Sequence, residues 1–175
     1  LTGKGYKLLS AIDCDPVVKA EFLKIVASSH LNLSEGQGAD ILLQQNMALQ
    51  PVKDVLKIFE LKTGEAVKVA LLTGAIAGNA SENDLKVLAD FAGYFGIAYQ
   101  IRDDLNELHE NNDLKHAFDF PFLLSLLNQG INGHSPSFQE IMKTGNLALI
   151  LESFKQYETE TKVQKFLDDY LQKCY

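Results

Sequence analysis

The chain has 175 residues, 46% of them apolar, and a formal net charge of −7. A length of this order fits one ordinary domain burying about 70% of its unfolded surface, so neither a disulfide scaffold nor a structural zinc is required. The acidic balance excludes a general nucleic-acid surface, and uncharged runs such as 69–81 and 91–101 are too short to cross a bilayer.

Four prolines, at 16, 51, 121 and 136, can each open a helix, and the apolar residues between them repeat with helical period. The expected helices span 4–13, 17–47, 51–78, 82–108, 120–130, 135–143 and 147–173, which makes the chain all-α and a single domain. No secretory signal precedes the first helix, and the abrupt opening at Leu1-Thr2-Gly3 is expected of part of a longer protein. Cys14 and Cys174 stand at opposite ends without metal-ligand spacing, which fits a reducing, cytoplasmic setting.

Within 17–47, the run Glu35-Gly36-Gln37-Gly38-Ala39-Asp40 sets Gln37 and Asp40 three apart on one helical face. Its paired glycines imply either close approach of another backbone or a loop between two shorter helices. In 51–78, Ala66, Ala70, Gly74 and Gly78 recur every four residues as a small-residue stripe that another backbone can approach. Lys62 extends that stripe backwards and adjoins Thr63 and Gly64. A cation, a hydroxyl and a flexible backbone together can hold phosphate oxygens, although a lysine reaching out to solvent has the same sequence. Gly78-Asn79 should stop the helix, and Ser81-Glu82-Asn83-Asp84 should cap the next.

Helix 82–108 is free of charge from Phe91 to Ile101 and is expected to be central, covered on nearly every side. Its own small stripe, Ala89, Gly93 and Gly96, continues as Gln100, Asp103 and Glu107, with Asp104 one step round. Asp103 and Glu107 stand one turn apart, about 5–6 Å between Cβ atoms. At an effective dielectric of 20 two such charges repel by roughly 3 kcal/mol. A hard divalent cation reverses that sign, and Mg²⁺ takes one or two carboxylates while phosphate and water complete its shell. The spacing suits a helix that presents Mg²⁺ to a diphosphate; alone, it also describes a solvated helix end. Residues 107–116 are polar and expected as a loop. The four histidines, at 30, 109, 116 and 134, have no ligand spacing.

In this order and spacing, Gly36-Gln37-x-x-Asp40, Lys62-Thr63-Gly64 and Tyr99-Gln100-Ile101-Arg102-Asp103-Asp104-x-x-Glu107 resemble the trans-isoprenyl diphosphate synthases, the polyprenyl synthetase family. The resemblance runs roughly from Tyr6 to Pro121. It implies an α-helical bundle of terpenoid-synthase type and a magnesium-dependent, head-to-tail condensation of an allylic diphosphate with isopentenyl diphosphate. It implies Asp103, Asp104 and Glu107 in the Mg²⁺ site, with Asp104 acting through water. Lys62 would contact the allylic diphosphate, with Gln37 nearby. Thr63, Gln100 and Asp40 would line the region where the allylic cation develops, and Tyr99 would lie beside the homoallylic substrate. Lys115 stands near the place of a further phosphate-binding lysine.

Glu107 replaces the aspartate that usually closes the family's second acidic motif. No first aspartate-rich motif is present, nor its arginine pair, nor the basic segment that grips isopentenyl diphosphate. The expectation is the C-terminal half of a prenyl diphosphate synthase, inactive alone, completed by an N-terminal half or by self-association. The alternatives are a non-catalytic helical partner of a complete synthase and a plain helical interaction domain.

Overall fold

Helix is the rule in the computed structural model, which describes residues 2–46, 50–110, 120–130, 143–144 and 146–175 and contains no strand among them. The helices are α1 (Thr2–Ser10), α2 (Pro16–Asn46), α3 (Val52–Phe59), a π-helical turn (Glu60–Gly64), α4 (Glu65–Ala77), α5 (Glu82–Glu110), α6 (Pro121–Gly130), α7 (Leu147–Gln156) and α8 (Thr159–Lys173). None of them is long and apolar enough to cross a membrane. Both cysteines are free thiols.

Local chemistry explains most of the boundaries. Asp15 accepts the backbone N–H of Val17 at 2.7 Å and starts α2. At the end of α4, Ala80 N–H donates to Ala75 O and Asn79 N–H to Ile76 O, the double bond of a Schellman motif. Asn79, at φ 57°, takes the left-handed position there. Ser81 and Asp84 then form the expected cap of α5. Both the N–H and the hydroxyl of Ser81 donate to Asp84 Oδ2, and Asp84 N–H donates back to Ser81 Oγ.

Helix α2 runs through Gly36 and Gly38 without a break, as one helix rather than two shorter ones: Gly36 packs against the π-helical turn, while a Cβ on Gly38 meets nothing within 4 Å. Other expected elements differ. The segment expected as one helix at 147–173 divides at Glu158, whose left-handed φ of 50° interrupts the helix between α7 and α8. No glycine or proline marks that point. The polar segment after 107 is helical as far as Glu110. The rest of it, and the helix expected at 135–143 apart from Lys143, lie outside the described residues.

The centre of the bundle is α6, not α5. Residues Phe122 to Leu127 of α6 are all buried, six in succession, as in a helix surrounded on every side. Around it pack Val55 and Phe59 of α3, Ile97, Ile101 and Leu105 of α5, Ile150 and Phe154 of α7, and Val163 and Leu167 of α8. Each such side chain contributes roughly 1.5–3 kcal/mol by leaving water. Helix α5 is covered less completely than its uncharged sequence suggests, since Phe95 and Tyr99 are exposed. The stripe on α4 also faces outward: Ala66, Ala70, Gly74 and Gly78 are exposed, and a Cβ built on Gly74 meets nothing within 4 Å.

Candidate functional site

Three segments far apart in sequence meet where α2 and α5 cross the π-turn. Glycine makes the crossings possible. A Cβ on Gly36 of α2 would lie 2.7 Å from both Leu61 Cβ and Lys62 N, so α2 rests directly on the backbone of the turn. On the other side, a Cβ on Gly96 of α5 would fall 2.3 Å from Gly64 N and 2.4 Å from Gly64 Cα. Real Cβ atoms do not approach so closely, so Gly36 and Gly96 set the spacing of the three elements. The π-turn closes i→i+5 rather than i→i+4 bonds and so takes its residues out of register with α4. Lys62 consequently does not continue the outward stripe of Ala66 and Ala70 but turns toward α2.

At that junction the Lys62 ammonium lies 2.9 Å from Asp40 Oδ2, with side-chain exposures of 28% for the lysine and 5% for the aspartate. One residue on, Thr63 Oγ1 accepts a hydrogen bond of 2.9 Å from Gln100 Nε2 of α5. Asp40, Lys62, Thr63 and Gln100 are thus brought together as the sequence motifs imply. Gln37 is not with them: it is exposed, whereas Asp40 and Gly36, four residues apart, share the buried face. Tyr99 is 43% exposed; its ring is tilted against that of Phe95, 6.3 Å between centroids, and the Arg102 guanidinium lies over it at 5.8 Å. Lys115 lies outside the described residues.

The structure divides the acidic turn. Asp103 and Glu107 are exposed, one and two helical turns beyond Gln100. Asp104, 100° round the helix from Asp103, is 6% exposed and accepts the backbone N–H of Phe122 at 3.3 Å. Burial pushes the Asp104 carboxyl well above the usual aspartate range; the Phe122 N–H pulls the other way, the charges of Glu107 and Asp103 raise it further, and the Lys62 ammonium lowers it. Of the three acids that the resemblance puts in the metal site, Asp104 is turned into the bundle, and Asp103 and Glu107 are exposed.

The described residues hold no group of three or more His, Cys, Asp or Glu that could cage an ion. Two exposed carboxylates one turn apart fit Mg²⁺ shared with phosphate and water, and do not fit an all-protein site.

A buried carboxylate beside the site escapes the sequence motifs. Glu65, 4% exposed, accepts Ser29 Oγ–H at 2.9 Å and Lys68 Nζ–H at 2.9 Å, tying the start of α4 to α2. The i,i+3 spacing of Glu65 and Lys68 is legible in the sequence, but the partner at Ser29 is not.

Residues 1–116 match the sequence profile of the polyprenyl synthetase family. The chain is 33% identical over 82 residues to the geranylfarnesyl diphosphate synthase of Aeropyrum pernix, covering 47% of this chain and 26% of that one. It is 27% identical over 118 residues to the farnesyl diphosphate synthase of Bacillus subtilis (strain 168), covering 65% and 39%. Its fold superposes on the crystal structure of geranylgeranyl pyrophosphate synthetase from Pyrococcus horikoshii Ot3 with a TM-score of 0.82 at 19% identity, over 98% of this chain and 56% of that chain. The geranylgeranyl pyrophosphate synthase of Corynebacterium glutamicum, solved with isoprenyl diphosphate and magnesium, gives 0.76 at 21% identity, over 91% and 49%. The likeness in fold takes in the C-terminal third, where the sequence motifs are silent. The chain spans about a quarter to two fifths of the length of the two curated relatives, and about half of the solved structures. With the ordered motifs, the matched profile and the shared helical fold together, the chain belongs to the polyprenyl synthetase family.

Proposed function

We propose that this chain supplies one wall of the diphosphate site of a trans-prenyltransferase, which condenses an allylic diphosphate with isopentenyl diphosphate head to tail. The observation that carries this reading is the junction of Asp40, Lys62, Thr63 and Gln100, with Asp103 one helical turn and Glu107 two turns farther along α5. Lys62 has three N–H donors and directs one at Asp40, which leaves donors for a diphosphate oxygen. Asp103 and Glu107 would hold Mg²⁺, which when bound offsets the charge of the departing diphosphate. Departure of that group with the bonding electron pair leaves an allylic cation; the isopentenyl double bond attacks it, and loss of a proton from the new cation restores a double bond. The Thr63 and Gln100 dipoles and the buried Asp40 carboxylate are fixed in advance of that charge, the condition under which electrostatic stabilisation is most effective.

A single acidic helix grips a diphosphate from one side only, so we expect this chain to bind the ligand but not to turn over unless acids from another segment face it. A non-catalytic helical partner of a complete synthase would share that behaviour. The test is isothermal titration of the 175-residue chain with inorganic pyrophosphate, with and without Mg²⁺. Saturable heat that requires the metal supports the reading; no heat, or binding indifferent to Mg²⁺, overturns it.

A further inference from the structure

Among the described residues, the N-terminus of α6 has no side-chain cap of its own. Phe120 occupies the capping position, its carbonyl accepting the Leu124 N–H at 3.0 Å, and its side chain has no oxygen to offer. Pro121 has no N–H. The first N–H that needs an acceptor is that of Phe122, a residue of zero exposure, where an unmade hydrogen bond is costly. The acceptor comes from another helix: Asp104 Oδ2 of α5, at 3.3 Å. Phe122 is pinned on its other side as well, its ring lying 6.1 Å from Phe59 of α3 and 5.5 Å, edge-on, from Phe166 of α8.

From this geometry we infer that Asp104 is a positioning residue that clamps α5 to the N-terminus of α6, and that it is not a metal ligand. The inference rests on the proposal that Asp103 and Glu107 hold Mg²⁺. Mg²⁺ sheds water reluctantly and keeps several in its shell, and a carboxylate 6% exposed, beside the buried Leu105 and bonded to the buried Phe122, has no room for them. What Asp104 does for the site is to fix the rotation of α5. With Asp104 held inward against α6, Asp103 and Glu107 are kept on the open side of the helix.

Three variants test it: Asp104→Asn, which keeps an oxygen acceptor, Asp104→Ala, which does not, and Asp103→Asn. Two measurements are made on each, hydrogen exchange at the Phe122 amide and the Mg²⁺-dependent affinity for inorganic pyrophosphate. Asp104→Asn should leave both within about threefold of the parent, as expected when one acceptor replaces another. Asp104→Ala should speed Phe122 exchange by about tenfold or more, and failure of this variant alone to fold would support the clamp equally. Asp103→Asn should weaken pyrophosphate by about tenfold or more while Phe122 stays protected. The inference is overturned if Asp104→Asn loses pyrophosphate as severely as Asp103→Asn, or if Asp104→Ala leaves Phe122 exchange unchanged. Should the parent chain bind no magnesium pyrophosphate, the metal reading fails by itself, and the exchange rates still decide the clamp.

Discussion

The ammonium of Lys62 and the carboxylate of Asp40 are 2.9 Å apart, although 22 positions separate them and one is nearly buried while the other reaches solvent. The pair joins the π-turn to α2 and gives Lys62 two duties, neutralising a buried acid and facing the ligand. Lys62→Ala should therefore reduce stability by about 2–3 kcal/mol, just below the cost of breaking a fully buried pair. Asp40→Asn should cost only about 1 kcal/mol, because the lysine can turn to solvent. Urea unfolding of the two variants checks the asymmetry, and equal losses would assign the ion pair a symmetric, purely structural weight.

The crossing of α5 over the π-turn predicts opposite outcomes for the same substitution at two glycines. Gly96→Ala places a methyl group 2.3–2.4 Å from the backbone of Gly64 and should destabilise by about 1–3 kcal/mol. Gly74→Ala meets nothing and should stabilise by about 0.5–1 kcal/mol through helix propensity. Thermal unfolding of both proteins measures the contrast.

These glycines also show how far the sequence could be read. The four-residue spacing of small residues is visible on both α4 and α5, and close packing is the natural inference for each. Of Gly74 and Gly96, the second alone meets a backbone, since its partner Gly64 sits in a π-turn that no local pattern announces. Asp40, Lys62, Thr63 and Gln100 could be grouped only through the family resemblance of the ordered motifs, since each motif alone also fits a surface lysine, a loop or a solvated helix end. Rotation about a helix axis is harder to read. Asp103 and Asp104 are alike in sequence, and only the position of α6, beyond a polar segment, turns one inward. The split at Glu158 was illegible for a related reason: the left-handed residue there is neither glycine nor asparagine.

The hydrogen bond between Thr63 and Gln100 is partly buried and closes the junction from the α5 side. Gln100→Leu should lower stability by about 1 kcal/mol, whereas Thr63→Ser, which keeps the oxygen, should change little. Denaturant midpoints for the two variants give the comparison, and an equally large effect of Thr63→Ser would show that the methyl group rather than the hydroxyl matters.

The cap at the start of α5 predicts a pH dependence. The Ser81 side chain, and then its backbone N–H, hold the Asp84 carboxyl below the usual aspartate range. A carboxylate depressed in the folded state adds stability above the unfolded value of about 3.9, and that stability is lost as the pH falls through the lower folded value. Ser81→Ala should therefore reduce stability at neutral pH and narrow its gap from the parent in acid. Melting curves between neutral and acidic pH follow the gap, and a constant difference would show that the bonds to Asp84 contribute nothing to the helix start.

The most direct measurement is the affinity of Asp103→Ala for inorganic pyrophosphate in the presence of Mg²⁺, compared with the parent chain and with far-ultraviolet circular dichroism of both. A helix that presents the ion to a diphosphate through an exposed carboxylate predicts that binding falls by about tenfold or more while helicity is unchanged. Pyrophosphate held as tightly by Asp103→Ala as by the parent would contradict it.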